Sequence, residues 1–204
     1  MTGIGKLILA ALLIISATLG AAGYMWLTNS GPFQGDRIRE VPLGHIRFNQ
    51  TEASHLDLLF SEHGSISYNF FGNEVSVYIA YYERDELVLH ERIGGIAVGT
   101  PDQLAGSLLW GITTEDGVRR ELRVKSSITF ASSNIHFDFS EIDFHVGSMA
   151  TGENITRDTN IEMNRRYVLH VWQSGTIWWA DGDIFNSIRL RENEKSVILY
   201  VVFE

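Results

Sequence analysis

The run Ile66-Ser67-Tyr68-Asn69-Phe70-Phe71, then Gly72-Asn73, then Val75-Ser76-Val77-Tyr78-Ile79-Ala80-Tyr81-Tyr82, decides how the rest of the chain is read. Apolar residues recur at every second position, and β-branched and aromatic types dominate, as in strands that lay one face on a core. Gly72-Asn73 interrupts the run with residues that accept a positive φ. The segment therefore predicts two strands, 66–71 and 75–82, joined by a tight turn.

Working outward, β-rich runs return at 87–93, 107–114, 118–130, 135–146, 166–173, 176–180, 184–190 and 196–203. Asp116-Gly117, Ser174-Gly175 and Asp181-Gly182 supply turn signals between them. Short strands at this spacing imply a mainly β fold, specifically an antiparallel β-sandwich of the jelly-roll or immunoglobulin-like kind. Thr100-Pro101-Asp102-Gln103 has a capping-box pattern with proline at the first helical position, which predicts a short helix. Leu56, Leu59 and Phe60 fall at helical spacing and predict another over 51–60. Ile66-Ser67-Tyr68-Asn69-Phe70 is echoed by Ile135-His136-Phe137-Asp138-Phe139, and Val88-Leu89-His90 by Val168-Leu169-His170. Alternating strands produce such echoes by chance, so one β domain is expected.

Ahead of the β-rich part, residues 7–27 read LILAALLIISATLGAAGYMWL without a charge. At 1.5 Å per residue that is enough helix to cross about 30 Å of hydrocarbon. Lys6 marks one end, and Tyr24 and Trp26 lie at the other, where amphipathic rings favour the headgroup region. The chain divides accordingly into a transmembrane anchor (1–28), a linker containing Asn29, Ser30, Gly31, Pro32 and Gly35 (29–42), and an extracytoplasmic β domain (43–204). The alternative is a cleaved signal peptide, with Gly20-Ala21-Ala22 ahead of the cut and a secreted product. Arg37 and Arg39 leave the charge rule nearly silent on orientation, so the signal-like order of the segment carries the outward assignment.

Composition removes much chemistry. The absence of cysteine excludes disulfides, cysteine-ligated zinc, iron–sulfur clusters and a thiol nucleophile. A formal charge of −9 repels nucleic acid, and the basic run Arg119, Arg120, Arg123 and Lys125 alternates with Glu121 as a solvated strand face would. His90-Glu91 lacks the second histidine of a zinc-protease helix, and no nucleophile elbow or phosphate loop occurs. Asp181-Gly182-Asp183 starts like a calcium loop but continues with Ile184 and Phe185 where ligands are needed. Asn49-Gln50-Thr51 and Asn154-Ile155-Thr156 match the glycosylation sequon, which has meaning only in a eukaryotic secretory route. No catalytic residue and no cofactor is expected.

Two constellations remain. The alternation over 135–146 changes phase at Ser140-Glu141; a hairpin turn there would bring His136, Asp138, Asp143 and His145 onto one face, where they could hold a divalent cation. A β-bulge explains the same phase change and splits the four. Trp172, Trp178 and the pair Tyr81-Tyr82 are candidate contact residues, because adjacent rings on a strand point to opposite faces. The expected function is a binding or interaction module of the cell envelope, anchored in the lipid bilayer through residues 7–27 and meeting a protein or glycan partner. The alternatives are a metal-dependent hydrolase built on the His/Asp patch and an accessory subunit of a membrane complex.

Overall fold

The computed structural model describes residues 3–27, 41–49, 60, 62–115, 118–128, 131–139, 142, 148–151, 159–174 and 184–204. Helix α1 (Gly3–Leu27) precedes strands β1 (His45–Phe48), β2 (Glu62–Glu83), β3 (Glu86–Glu115), β4 (Val118–Ile128), β5 (Ala131–Asp138), β6 (Ser148–Thr151), β7 (Thr159–Asn160) and β8 (Arg166–Gln173). A short helix α2 (Ser187–Arg191) leads into β9 (Lys195–Phe203). Every strand pair is antiparallel. The strands form one network in the order β5-β4-β3-β2-β9-β8-β6, with β1 against β2 and β7 against β1.

The run that decided the reading is one long strand. β2 continues through Gly72 and Asn73, and its pairing with β3 shifts there, from Gly72 opposite Asp102 to Glu74 opposite Ala97. Residues 98–101 of β3 are the surplus on the outside of the bend. A Cβ at Gly72 would strike the Phe70 ring and lie 2.5 Å from the Glu204 carbonyl oxygen, so glycine serves here for close backbone approach and not for a reversal. The amides of Asn73 and Glu74 donate to that same carbonyl at 2.7 and 2.9 Å. The predicted helix at Thr100-Pro101-Asp102-Gln103 is instead part of β3. Pro101 sits at a position with no partner on β2, where its missing N–H costs nothing to the ladder.

A second correction concerns 184–190, predicted as strand. It is a turn leading into α2, whose N-cap Asn186 accepts from the Ile188 amide at 3.0 Å. The predicted strand at 176–180 lies outside the described residues, as does the helix at 51–60 apart from Phe60. Val41 is already buried, two residues ahead of the expected domain start.

The core follows the bend. On the first half of β2 the residues packed in the larger apolar cluster are Ile66, Tyr68 and Phe70; beyond the register shift they are Val75, Val77, Ile79 and Tyr81. The shift exchanges even for odd positions, which is what keeps both halves facing inward. Tyr68 and Phe70 then meet Phe203 of β9 at ring-centroid distances of 5.4 and 5.0 Å, and Phe139 meets Trp172 of β8 at 5.7 Å. A smaller cluster on the other face of β2, β9 and β8 gathers Ala80, Tyr82, Val168, Val171, Ile198, Tyr200 and Val202 under Ile184 and Leu190. β9 is thus covered on both faces, which explains its unbroken apolar run.

In α1 the described side chains are those of residues 5 and 11–25. Leu12, Leu13, Ile14, Ile15, Leu19 and Tyr24 are all exposed. Among the described residues no helix is long and apolar enough to cross a membrane.

Candidate functional site

The bend sends the two halves of β3 to different neighbours. Residues 106–112 pair with both β2 and β4, whereas residues 86–97 pair with β2 and have no second partner strand among the described residues. The first half is therefore a sheet edge. Leu87 and Val88 on it are about half exposed, at 49% and 53%. Two register irregularities interrupt its pairing: Val88 and Ile93 are each an extra residue against β2, which leaves two regular four-residue runs, Leu89–Arg92 opposite Tyr81–Tyr78 and Gly94–Ala97 opposite Val77–Glu74. Bulges of this kind shorten the template that an open edge offers.

Beside this edge, on the outer face, lies a group of parallel rings. Tyr78 is directly opposite both Arg92 and Tyr200, and His90 is two pairs along, opposite Ala80 and so on the same face. Ring centroids of Tyr78, His90 and Tyr200 are 5.5, 5.3 and 6.2 Å apart with interplanar angles of 16°, 13° and 6°, so the three close a triangle and do not form a column. His90 Nε2 and the Tyr200 hydroxyl share a 2.6 Å hydrogen bond whose donor depends on the imidazole tautomer. All three planes are near parallel, so the rings stack in the group, and parallel rings with displaced centres are an arrangement that ring quadrupoles favour.

Phe185 meets Tyr200 edge-on at 5.3 Å, and the Arg166 guanidinium stands 4.7 Å over Phe185 and 5.6 Å from the Tyr200 centroid. Burial raises the Tyr200 phenol above its ordinary value while Arg166 pulls it back, and the phenol stays neutral through the physiological range. Arg92 forms an ion pair with Glu74 at the far margin of the group. His90 and Arg166 are exposed, Tyr78 and Phe185 are half-buried, and Tyr200 is buried. The surface combines exposed Leu87 and Val88 with Tyr78, Tyr200 and Arg166, and tyrosine and arginine are the types enriched at interface hot spots.

A second polar group is enclosed. Trp172 Nε1–H donates to Glu62 Oε2 at 2.5 Å, and His170 Nε2 lies 3.4 Å from that oxygen without hydrogen-bond alignment. The His170 ring leans on the Trp172 indole with centroids 4.6 Å apart. At 2% exposure His170 presents no nitrogen to a solute, so among the described residues this group orders the core and does not face a substrate.

The residues singled out from the sequence are distributed differently. Trp172 is fully buried, and Tyr81 and Tyr82 are buried on opposite faces of β2, in the larger and the smaller cluster respectively. Both rings of the pair are enclosed because both sheet faces are covered at that point. His136 is exposed on β5 and contacts Glu121 through Nδ1 at 2.5 Å, while Arg123 holds the other carboxylate oxygen at 2.8 Å. His136 first and Arg123 second hold the Glu121 carboxyl below its usual range. Asp138 is opposite Glu121 across the β4–β5 pair. Trp178, Asp143 and His145 lie outside the described residues. No group of three or more His, Asp or Glu suited to a metal ion occurs among the described residues.

His90, Tyr78 and Tyr200 were missed as a group. Each stood within a predicted strand, but their meeting requires the order β3-β2-β9, which joins positions more than 100 residues apart. No family model, no curated protein and no solved structure matches this chain.

Proposed function

We propose that the chain is a membrane-anchored, extracytoplasmic binding module of the cell envelope, whose β-sandwich engages a protein partner along the 86–93 edge of β3. The observation that carries the reading is the open edge with its exposed Leu87 and Val88 beside the His90–Tyr78–Tyr200 ring group. Within 86–93 an incoming strand would find a regularly paired stretch of main chain only along Leu89–Arg92, between the two bulges. That is too short to bind on backbone hydrogen bonds alone, so specificity falls to the rings and to Arg166.

The sandwich reading is supported by the ring contacts between the halves of the sheet on either side of the bend. The anchor reading draws on α1. Its Leu12, Leu13, Ile14, Ile15, Leu19 and Tyr24 side chains are all exposed, and a helix apolar on every side calls for apolar surroundings. Its 25 residues amount to about 37 Å of helix.

A photo-reactive phenylalanine analogue placed at position 88 of the full chain, in membranes of the producing cell, tests the edge. It should yield one discrete adduct that a probe at Arg123 on β4 does not, and Leu87→Lys should abolish it. Equal adducts from both positions, or an adduct indifferent to Leu87→Lys, would refute the assignment.

A further inference from the structure

Six large apolar side chains are exposed in the β domain among the described residues, and three of them, Leu43, Phe71 and Met163, belong to one end of it. Backbone hydrogen bonds tie the segments that carry them. The Gly44 amide donates to the Asn69 carbonyl at 2.7 Å, the Ile161 amide to the Gly44 carbonyl at 2.7 Å, and the Asn164 amide to the Phe203 carbonyl at 2.8 Å. Asn73 and Glu74 close the ring on Glu204. Leu43 lies in the turn that the His45 amide closes on the Pro42 carbonyl at 3.2 Å, just ahead of His45 opposite Asn69, two residues before Phe71 on β2. Since Tyr68 and Phe70 point into the core, Phe71 points out, and it is 63% exposed.

This is also where the chain arrives from α1. Val41 is buried at this end and its carbonyl accepts from Asn69 Nδ2 at 3.1 Å. Fourteen peptide units separate it from Leu27, a reach of at most about 50 Å. The nearest charges on the 162–165 turn, Glu162 and Arg165, neutralise each other at 2.6 Å. Asp102, opposite Gly72, and Glu204 add carboxylates at this end, which suit the headgroup level, while exposed apolar side chains at the point of tethering suit the headgroup–acyl boundary, which they enter by about 5–10 Å.

We infer that the Leu43–Phe71–Met163 end of the domain rests on the lipid surface into which α1 inserts. The inference rests on the anchor reading above, and it fixes the orientation of the domain: the 83–86 end of the β2–β3 pair, about 35 Å along β2 from the bend, points away from the membrane.

The chain has no cysteine, so single cysteines can carry a fluorophore without further changes. Full chains with Phe71→Cys, Leu43→Cys, Leu19→Cys or Glu86→Cys would be labelled and reconstituted in phosphatidylcholine vesicles containing lipids brominated along the acyl chain. Labels at 71 and 43 should be quenched at least about twofold more than the label at 86, with the label at 19 quenched most. Quenching at 19, with 71 and 43 no different from 86, would overturn the resting contact and leave the anchor standing. An unquenched label at 19 would overturn the anchor, and this inference with it. Protection of position 71 from aqueous iodide without quenching by lipid would mean that protein covers this end, which also overturns the proposal.

Discussion

Replacing Tyr68 by phenylalanine should change how the domain resists alkali. The Tyr68 hydroxyl is buried and has no hydrogen-bond partner among the described residues; the Ser126 hydroxyl nearby is close enough to temper its acidity but not aligned to pair with it. Burial pushes the phenol up to about 12 from 10.0. The folded state therefore holds this proton more tightly than the unfolded chain does. Its contribution is fully present below pH 10 and is lost as pH rises from there through 12. Two pH units correspond to about 2.7 kcal/mol. In the Tyr68→Phe chain that loss disappears, while Tyr167 and Tyr200, whose phenols burial also raises, remain to titrate as before.

At pH 7 the substitution removes an unpaired buried hydroxyl from a ring cluster with Phe70 and Phe203, so stability there should change by no more than about 1 kcal/mol. Urea unfolding of both full chains in a non-ionic detergent, at half-unit steps from pH 8 to 12, reads the effect directly. The variant should gain about 2–3 kcal/mol on the parent across the alkaline limb. Parallel limbs would mean that Tyr68 is hydrated or hydrogen-bonded in solution, and the burial argument would fail.

Four further outcomes are expected. Gly64→Ala drives a Cβ into the buried Trp110 indole, and thermal melts should show a loss of about 1–3 kcal/mol, partly recovered by adding Trp110→Phe. Trp172→Phe removes the N–H that meets the Glu62 carboxylate and should cost about 2–4 kcal/mol in urea unfolding; a change under about 0.5 would place little weight on that contact. Tyr200→Phe and His90→Ala each remove the hydrogen bond between them and should each lose about 1 kcal/mol in thermal melts, and His90→Ala should also weaken the position-88 adduct. His136→Ala should bring the Glu121 carboxyl, followed by NMR, back toward its ordinary titration range, since His136 is the main group holding it low.

Strands buried on both faces were the easiest to read. Residues 166–173 and 196–203 were predicted as strands and correspond to β8 and β9, because continuous burial leaves an apolar run that no turn residue interrupts. Gly72-Asn73 was harder, since a glycine suits a reversal and a bend equally well. Here the choice is made by the Phe70 ring and by the Glu204 carbonyl, which comes from the far end of the chain. Ile184, Phe185, Ile188 and Leu190 satisfy a short strand or one helical turn, and the Asn186 cap decides for the helix. The candidate surface was least legible. Whether Tyr81, Tyr82 and Trp172 face solvent depends on what covers the second side of the sheet, and local alternation carries no information about that.

The edge and the core follow from two features of β3. β4 has 11 residues and ends at Ile128 opposite Gly106, so it leaves the first half of β3 as an edge. At the bend by Gly72, with its surplus at 98–101, the register change moves the core positions of β2 from Tyr68 and Phe70 to Val75 and Val77. Straightening the hairpin there would turn half of β2 inside out. Such an edge has to be managed locally, and the bulges at Val88 and Ile93 and the Glu74–Arg92 ion pair do this while leaving Leu87, Val88 and His90 outward. The exposed Leu87 and Val88 thus sit at the irregular 86–88 end of the edge, next to the regular Leu89–Arg92 run.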